Sequence, residues 1–105
     1  MRILFDQGTP VPLRRYLTNH VVDTAFERGW SALQNGALLD IAAQEGYDLL
    51  MTTDQNLRYQ QRLADRQLSI IMLLSTSWPR MQLRIDTIQA AVANNVAGGY
   101  QEIPI

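Results

Sequence analysis

The sequence predicts an α/β fold: a three-layer α/β/α sandwich around a central, mainly parallel sheet of four to five strands. Short apolar runs alternate with longer amphipathic segments along the whole chain. The runs are apolar throughout and do not alternate apolar with polar, the pattern of strands covered on both faces. Right-handed crossovers are then expected between parallel strands.

The elements follow in order. Ile3–Phe5 is a short buried strand. Pro10 and Pro12 bracket the start of a helix through about Thr18, because proline suits the first helical turn. "HVVDTA" (His20–Ala25) is rich in β-branched residues and reads as the second strand. "ERGWSALQ" is a loop. Asn35 suits the N-cap of the helix "GALLDIAAQEG", which Gly46 closes. "YDLLMT" is the third strand. Asp54 can cap the next helix, "QNLRYQQRLADR", and "LSIIMLL" is the fourth strand. The segment from Ser75 to Asn95 is a helix with Ser77 as cap and Pro79 early in its first turn. Met81, Ile85, Ile88 and Val92 lay one apolar stripe along it. "GGYQEIPI" is a last strand of edge type, since Pro104 cannot sit in a central one.

At 105 residues, 47% apolar and 18% charged, the chain is one ordinary globular domain, residues 1–105. Without cysteine, disulfides and thiolate metal sites are excluded, which suits a reducing compartment. "MRILFDQG" has no signal-peptide apolar stretch, and "IIMLL" is too short to span a bilayer. The expectation is a cytoplasmic protein with no membrane partner. The net charge of −1 gives no global attraction to polyanions. All nine basic residues are arginine, so lysine chemistry is impossible.

In a parallel sheet, ligand sites form at the carboxyl ends of the strands, where strand order reverses. Asp6 closes the first strand and Asp54 the third. If these strands are neighbours, the two carboxylates converge. At about 4 Å they repel by roughly 4 kcal/mol at an effective dielectric of 20. Sharing a proton or binding a cation relieves this. Oxygen donors without histidine or cysteine suit Mg²⁺ or Mn²⁺, and such an ion can activate water and polarise a phosphoryl oxygen. Each aspartate alone also reads as a helix cap or Asx-turn, and for Asp54 both roles are compatible. Gln7 and Asn56 add polar groups at each strand end, and Ser75 and Thr76 leave the fourth strand on the same side.

"MRILFDQG", "NGALLDIAAQEGYDLLMTTDQNL" and "IIMLL", in this order, resemble the PIN-like nucleases through about Leu74. The nearest branch is that of compact bacterial PIN-like proteins predicted to be toxins of toxin–antitoxin pairs. The resemblance implies a carboxylate cluster holding Mg²⁺ or Mn²⁺, cleavage of RNA, and a cognate antitoxin. By position, Asp6 matches the family's first acid and Asp54 the acid that closes strand three. The middle acid falls near the start of the helix before strand three, where this chain has Asn35. The only carboxylate in that helix's first turns, Asp40, lies almost opposite its buried face. Asn35 is therefore assigned the middle role as a neutral oxygen donor. With fewer charges in the cluster, weak activity is one expectation. A non-cutting module that binds RNA or a protein partner is the other.

Asp54, Arg58, Arg62 and Arg66 share one helix face. They read as a row binding RNA phosphates, with Tyr59 stacking a base, or as a solvated face with an ion pair of about 0.2–0.5 kcal/mol. His20, with no histidine or cysteine partner, reads as structural. Trp30 and Trp78 either anchor a partner or close the ends of the sandwich. The last helix and strand could mediate a homodimer. A receiver domain is excluded by the lack of lysine and of a second acid beside Asp6. Gly8 stands where an aspartate-nucleophile phosphatase needs its second acid. The single glycine of "DQGTPVP" does not make a dinucleotide-binding turn.

Overall fold

The computed structural model describes residues 1–59 and 67–105, the side chains of residues 35, 58 and 59 excepted. Five strands form one parallel sheet in the order β2-β1-β3-β4-β5: β1 Arg2–Phe5, β2 Val21–Thr24, β3 Leu49–Thr52, β4 Ser69–Leu73 and β5 Tyr100–Ile103. The α/β expectation therefore holds. Among the described residues β5 pairs only with β4, at the edge of the sheet, and Pro104 follows it directly.

The strand pleat divides the core in two. Ile3, Phe5, Leu49, Met51, Ile71, Leu73 and Ile103 face one side. Leu4, Leu50, Ile70 and Met72 face the other. Both faces are buried, which is why the strands read as unbroken apolar runs. Full burial of each such side chain is worth about 1.5–3 kcal/mol.

The connecting segments cover these faces. A 3₁₀ segment, Val11–Tyr16, sets Leu13 against the first face, with proline at its start. Helix α1 (Asn35–Gln44) sets Leu38, Leu39 and Ala42 against the second. Gly46, at φ +79°, ends α1 in the left-handed conformation that favours glycine. Helix α2 (Trp78–Met81) starts at Ser77, whose Oγ accepts from the Arg80 N–H at 3.4 Å. After a 3₁₀ turn, α3 (Ile85–Ala93) continues the path. Met81, Ile88 and Val92 are buried on the first face and Ile85 packs against them, so the apolar stripe holds.

Several local expectations change. The helix expected through about Thr18 is the 3₁₀ segment Val11–Tyr16, and the single helix expected over Ser75–Asn95 is divided into α2, a 3₁₀ turn and α3. Asn35 is the first residue of α1 and Gln34 its N-cap, with no side-chain cap bond. The helix expected after Asp54 is a 3₁₀ segment, Gln55–Tyr59, in its described part; the remainder, with Arg62 and Arg66, lies outside the described residues. The crossovers do not share one hand. The β1–β2 and β4–β5 connections cover the same face but cross the sheet in opposite directions, so their hands are opposite. Among the described residues, the first face otherwise has the Val11–Tyr16 segment and Leu17 over it. Placing α2 and α3 there closes that side of the core.

Candidate functional site

Strand order reverses between β1 and β3; there Asp6 directly follows β1 and Asp54 lies two residues past β3. The ladder continues one residue past β1, where Asp6 N–H donates to Met51 O at 3.1 Å. This bond ties the first aspartate to the end of β3. The chain then turns sharply, with Thr9 N–H donating to Asp6 O at 3.2 Å. Gly8 occupies the turn where the two rims meet. A Cβ there would collide with Thr53 Oγ1, so any larger residue requires that side chain to turn away.

Asp6 is 8% exposed, and both of its carboxylate oxygens are held. Thr9 Oγ1 lies 2.7 Å from Oδ1 and 3.0 Å from Met51 O, sharing its one proton between them. Thr52 Oγ1 donates to Oδ2 at 2.5 Å. The same Thr52 oxygen accepts from Asp54 N–H at 3.0 Å. One hydroxyl thus joins the first carboxylate to the backbone of the second aspartate. Asp54 Oδ1 accepts from Asn56 N–H at 3.0 Å, and Leu57 N–H donates to Asp54 O at 3.1 Å. The capping role of Asp54 is therefore real. Asp54 is half-buried and borders the same cavity as Asp6.

That cavity is a cleft of about 490 Å³. Asp6, Gln7, Thr53, Asp54 and Asn56 form its polar wall, and Trp30, Leu38 and Leu57 its apolar one. Gln34, at the start of α1, completes the border, so this helix terminus does reach the site. Neither ion pair found among the described residues involves Asp6 or Asp54.

The remaining expected residues divide as follows. Gln7 and Asn56 border the cleft. Ser75 and Thr76 do not; Ser75 Oγ accepts from Ser77 N–H at 3.0 Å. Asp40 is exposed on α1 and also lies off the cleft, as the helix geometry requires. The side chains of Asn35, Arg58 and Tyr59, and all of Arg62, fall outside the described residues. The sequence reading missed Thr9 and Thr52, which hold Asp6 in place. The only local signal was a threonine three residues after an aspartate.

Among the described residues no group of three or more histidine, cysteine or acidic side chains gathers. The cleft offers two carboxylates with amide and hydroxyl oxygens around them. That donor set fits a hard cation that keeps several waters and takes one or two carboxylates. It does not fit the softer ions that seek imidazole or thiolate.

Trp30 and Trp78 are both half-buried. Trp30 meets Tyr47 edge-on with centroids 6.1 Å apart, and Trp78 meets Tyr16 at 6.1 Å. His20 Nδ1 lies 3.2 Å from the N-terminal ammonium, far from the cleft. No helix among the described residues is long and apolar enough to cross a membrane. No family model matches the chain, and no curated protein or solved structure is similar to it.

Proposed function

We propose that the protein is a Mg²⁺- or Mn²⁺-dependent ribonuclease that hydrolyses phosphodiester bonds of single-stranded RNA. The observation that carries this reading is the convergence of Asp6 and Asp54 on one cleft, at the strand-order reversal, joined through Thr52. Asp6 and Asp54 would hold the ion, with Asn56 and Gln7 as flanking oxygen donors. When bound, the ion supplies an activated water and a Lewis acid for the phosphoryl oxygens.

The chain's own groups do the rest. Thr9 and Thr52 fix both oxygens of Asp6 and so spare the site reorganisation on binding. The Asp6–Thr9 turn and the Asp54 turn set the two carboxylates on rigid strand ends. Trp30 and Leu38 form an apolar wall that shields one side of the cleft from water. With no cysteine or lysine in the chain, no side-chain thiol or amine nucleophile competes with this assignment.

A second reading is favoured by the count of acids. Two described carboxylates in the cleft are fewer than a full cluster, which suits a module that binds RNA and cuts slowly or not at all. The toxin role rests on the sequence resemblance and would appear as growth arrest on expression, relieved by a cognate antitoxin.

The test is cleavage of labelled single-stranded RNA with Mn²⁺, with and without chelator, beside Asp6→Asn and Asp54→Asn. Chelator-sensitive cleavage lost in both variants is the expected result. Equal cleavage by wild type and variants would defeat the enzyme reading. Binding without cleavage would favour the module.

A further inference from the structure

A second cavity meets the cleft at Asp6. It is a groove of about 350 Å³ on the first face of the sheet, bordered by Asp6, Gln7, Thr9, Val11, Thr24 and Phe26. Its size is at the lower end of the range of about 300–1,000 Å³ for small-ligand pockets. Phe26 is 75% exposed and Val11 54%, so two large apolar side chains stand at its mouth and outside the core. The backbone fixes Phe26 there. Ala25 N–H donates to Phe5 O at 2.8 Å, extending the ladder, and Gly29 N–H donates to Phe26 O at 3.0 Å. β2 ends at Thr24, and Phe26 stands in the turn that follows, on the border of the groove.

The geometry points to a nucleobase seat: the Phe26–Val11 groove takes one unpaired base of a single-stranded RNA whose adjoining phosphate lies at Asp6. This rests on the ribonuclease reading for the identity of the polymer, and it deepens that reading.

Three features select a base as occupant. The groove is continuous with the carboxylate site, because Asp6 and Gln7 border both cavities. Thr9, on the groove wall, hydrogen-bonds the Asp6 carboxylate, so whatever fills the groove abuts the reacting centre. Away from Asp6, the groove's two other charged groups cancel. Arg14 and Glu27 form a two-bond pair at 2.9 and 3.2 Å, and Glu27 also accepts from Thr24 N–H. A phosphate finds no uncommitted cation in that pair. A flat ring finds an exposed aromatic face, and stacking of this kind tolerates any base.

The experiment measures binding of a labelled short single-stranded RNA to the full chain in Ca²⁺ buffer, and cleavage in Mn²⁺. The proteins are wild type, Phe26→Ala, Phe26→Trp and Leu83→Ala, the last an exposed residue off both cavities. Each RNA position is replaced in turn by an abasic nucleotide. Phe26→Ala is expected to weaken binding about 5- to 150-fold, the range of one base–aromatic stack. Phe26→Trp restores binding and Leu83→Ala leaves it unchanged. One abasic position weakens wild-type binding by a similar factor and adds nothing in Phe26→Ala, as a shared interaction requires.

Equal binding by wild type and Phe26→Ala overturns the seat, as does an abasic penalty that persists in the variant, or an RNA that does not bind. Cleavage with no dependence on Phe26 defeats the seat and leaves the nuclease. A Phe26-dependent abasic penalty without cleavage keeps the seat and defeats the nuclease.

Discussion

The rim around Asp6 and the flank around Tyr47 treat charge in opposite ways. On the flank, each charge meets a partner. Tyr47 donates to Asp23 at 2.6 Å and accepts from Arg28, which pairs with Glu45 at 2.8 Å. The Arg2 and Arg28 guanidinium groups lie 4.4 Å from the centroids of Tyr47 and Trp30. At the rim, two carboxylates share a cleft and no described cation pairs with either. Their partners are hydroxyls and backbone N–H groups. A flank closed in this way serves stability. A rim left with acceptor charge uncompensated by described cations is suited to a ligand that brings positive charge.

The largest expected effect breaks the rim's chemistry and spares its fold. On the proposed ribonuclease reading, Asp6→Asn should lower Mn²⁺-dependent cleavage by about 100-fold or more, since the proposed ion would lose one of its two carboxylates. Its stability in chelator should stay within about 1 kcal/mol of wild type, because the Thr9 and Thr52 hydroxyls can rotate to serve an amide. Urea unfolding and a cleavage assay on the same preparation check both halves. If the Asn variant unfolds much earlier, Asp6 is a structural residue and the contrast fails.

Thr52→Val comes next. It removes the donor to Asp6 Oδ2 and the acceptor of Asp54 N–H with almost no change of shape. A loss of about 1–3 kcal/mol in stability is expected for the stranded polar groups. Cleavage should fall about 10- to 100-fold, the usual cost of losing a group that orients a metal ligand. Tyr47→Phe sharpens the comparison from the other side. It loses both hydroxyl bonds, about 1–2 kcal/mol, and should leave cleavage unchanged. Reduced cleavage at unchanged RNA binding would show that the flank is coupled to the rim.

The parallel sheet was legible because both faces are covered, so that Ile3–Phe5, Leu49–Met51 and Ile70–Leu73 lack polar interruptions. Parallel strands in turn put Asp6 and Asp54 on one rim. What holds Asp6 was not legible. Thr52 is 46 positions away, and its bond appears only once β3 is known to lie beside β1. The start of α1 was off by one because Asn35 has good cap chemistry, while the chain uses Gln34 without a side-chain bond. The opposite hand of the β4–β5 crossover depends on which face needs covering, a property of the whole core. Phe26 falls between the expected strand His20–Ala25 and the loop that starts at Glu27, and nothing local says that its ring stays outside.

The smallest expected effect concerns pH, and it separates the rest of the molecule from the rim. Burial, and then the neighbouring N-terminal ammonium, push the His20 imidazole below its ordinary value of 6.5. The fold therefore prefers neutral His20, and the unfolded chain binds more protons as the pH falls through that region. Stability from this source is full above about 6.5 and is lost below it. Glu27 is also lowered, first by its bond from Arg14 and then by Thr24 N–H, against an ordinary value of 4.5. Its contribution is present above that value and lost further into acid. Tyr47 is raised, by burial and then by Asp23, so its contribution is present below the ordinary value of 10.0 and lost in alkali. The urea midpoint should thus decline between pH 7.5 and 5.5, and His20→Gln should flatten that decline while leaving cleavage at pH 7.5 unchanged. If the decline persisted in His20→Gln, the protons would be binding elsewhere, and the account of acid sensitivity away from the rim would have to be redrawn.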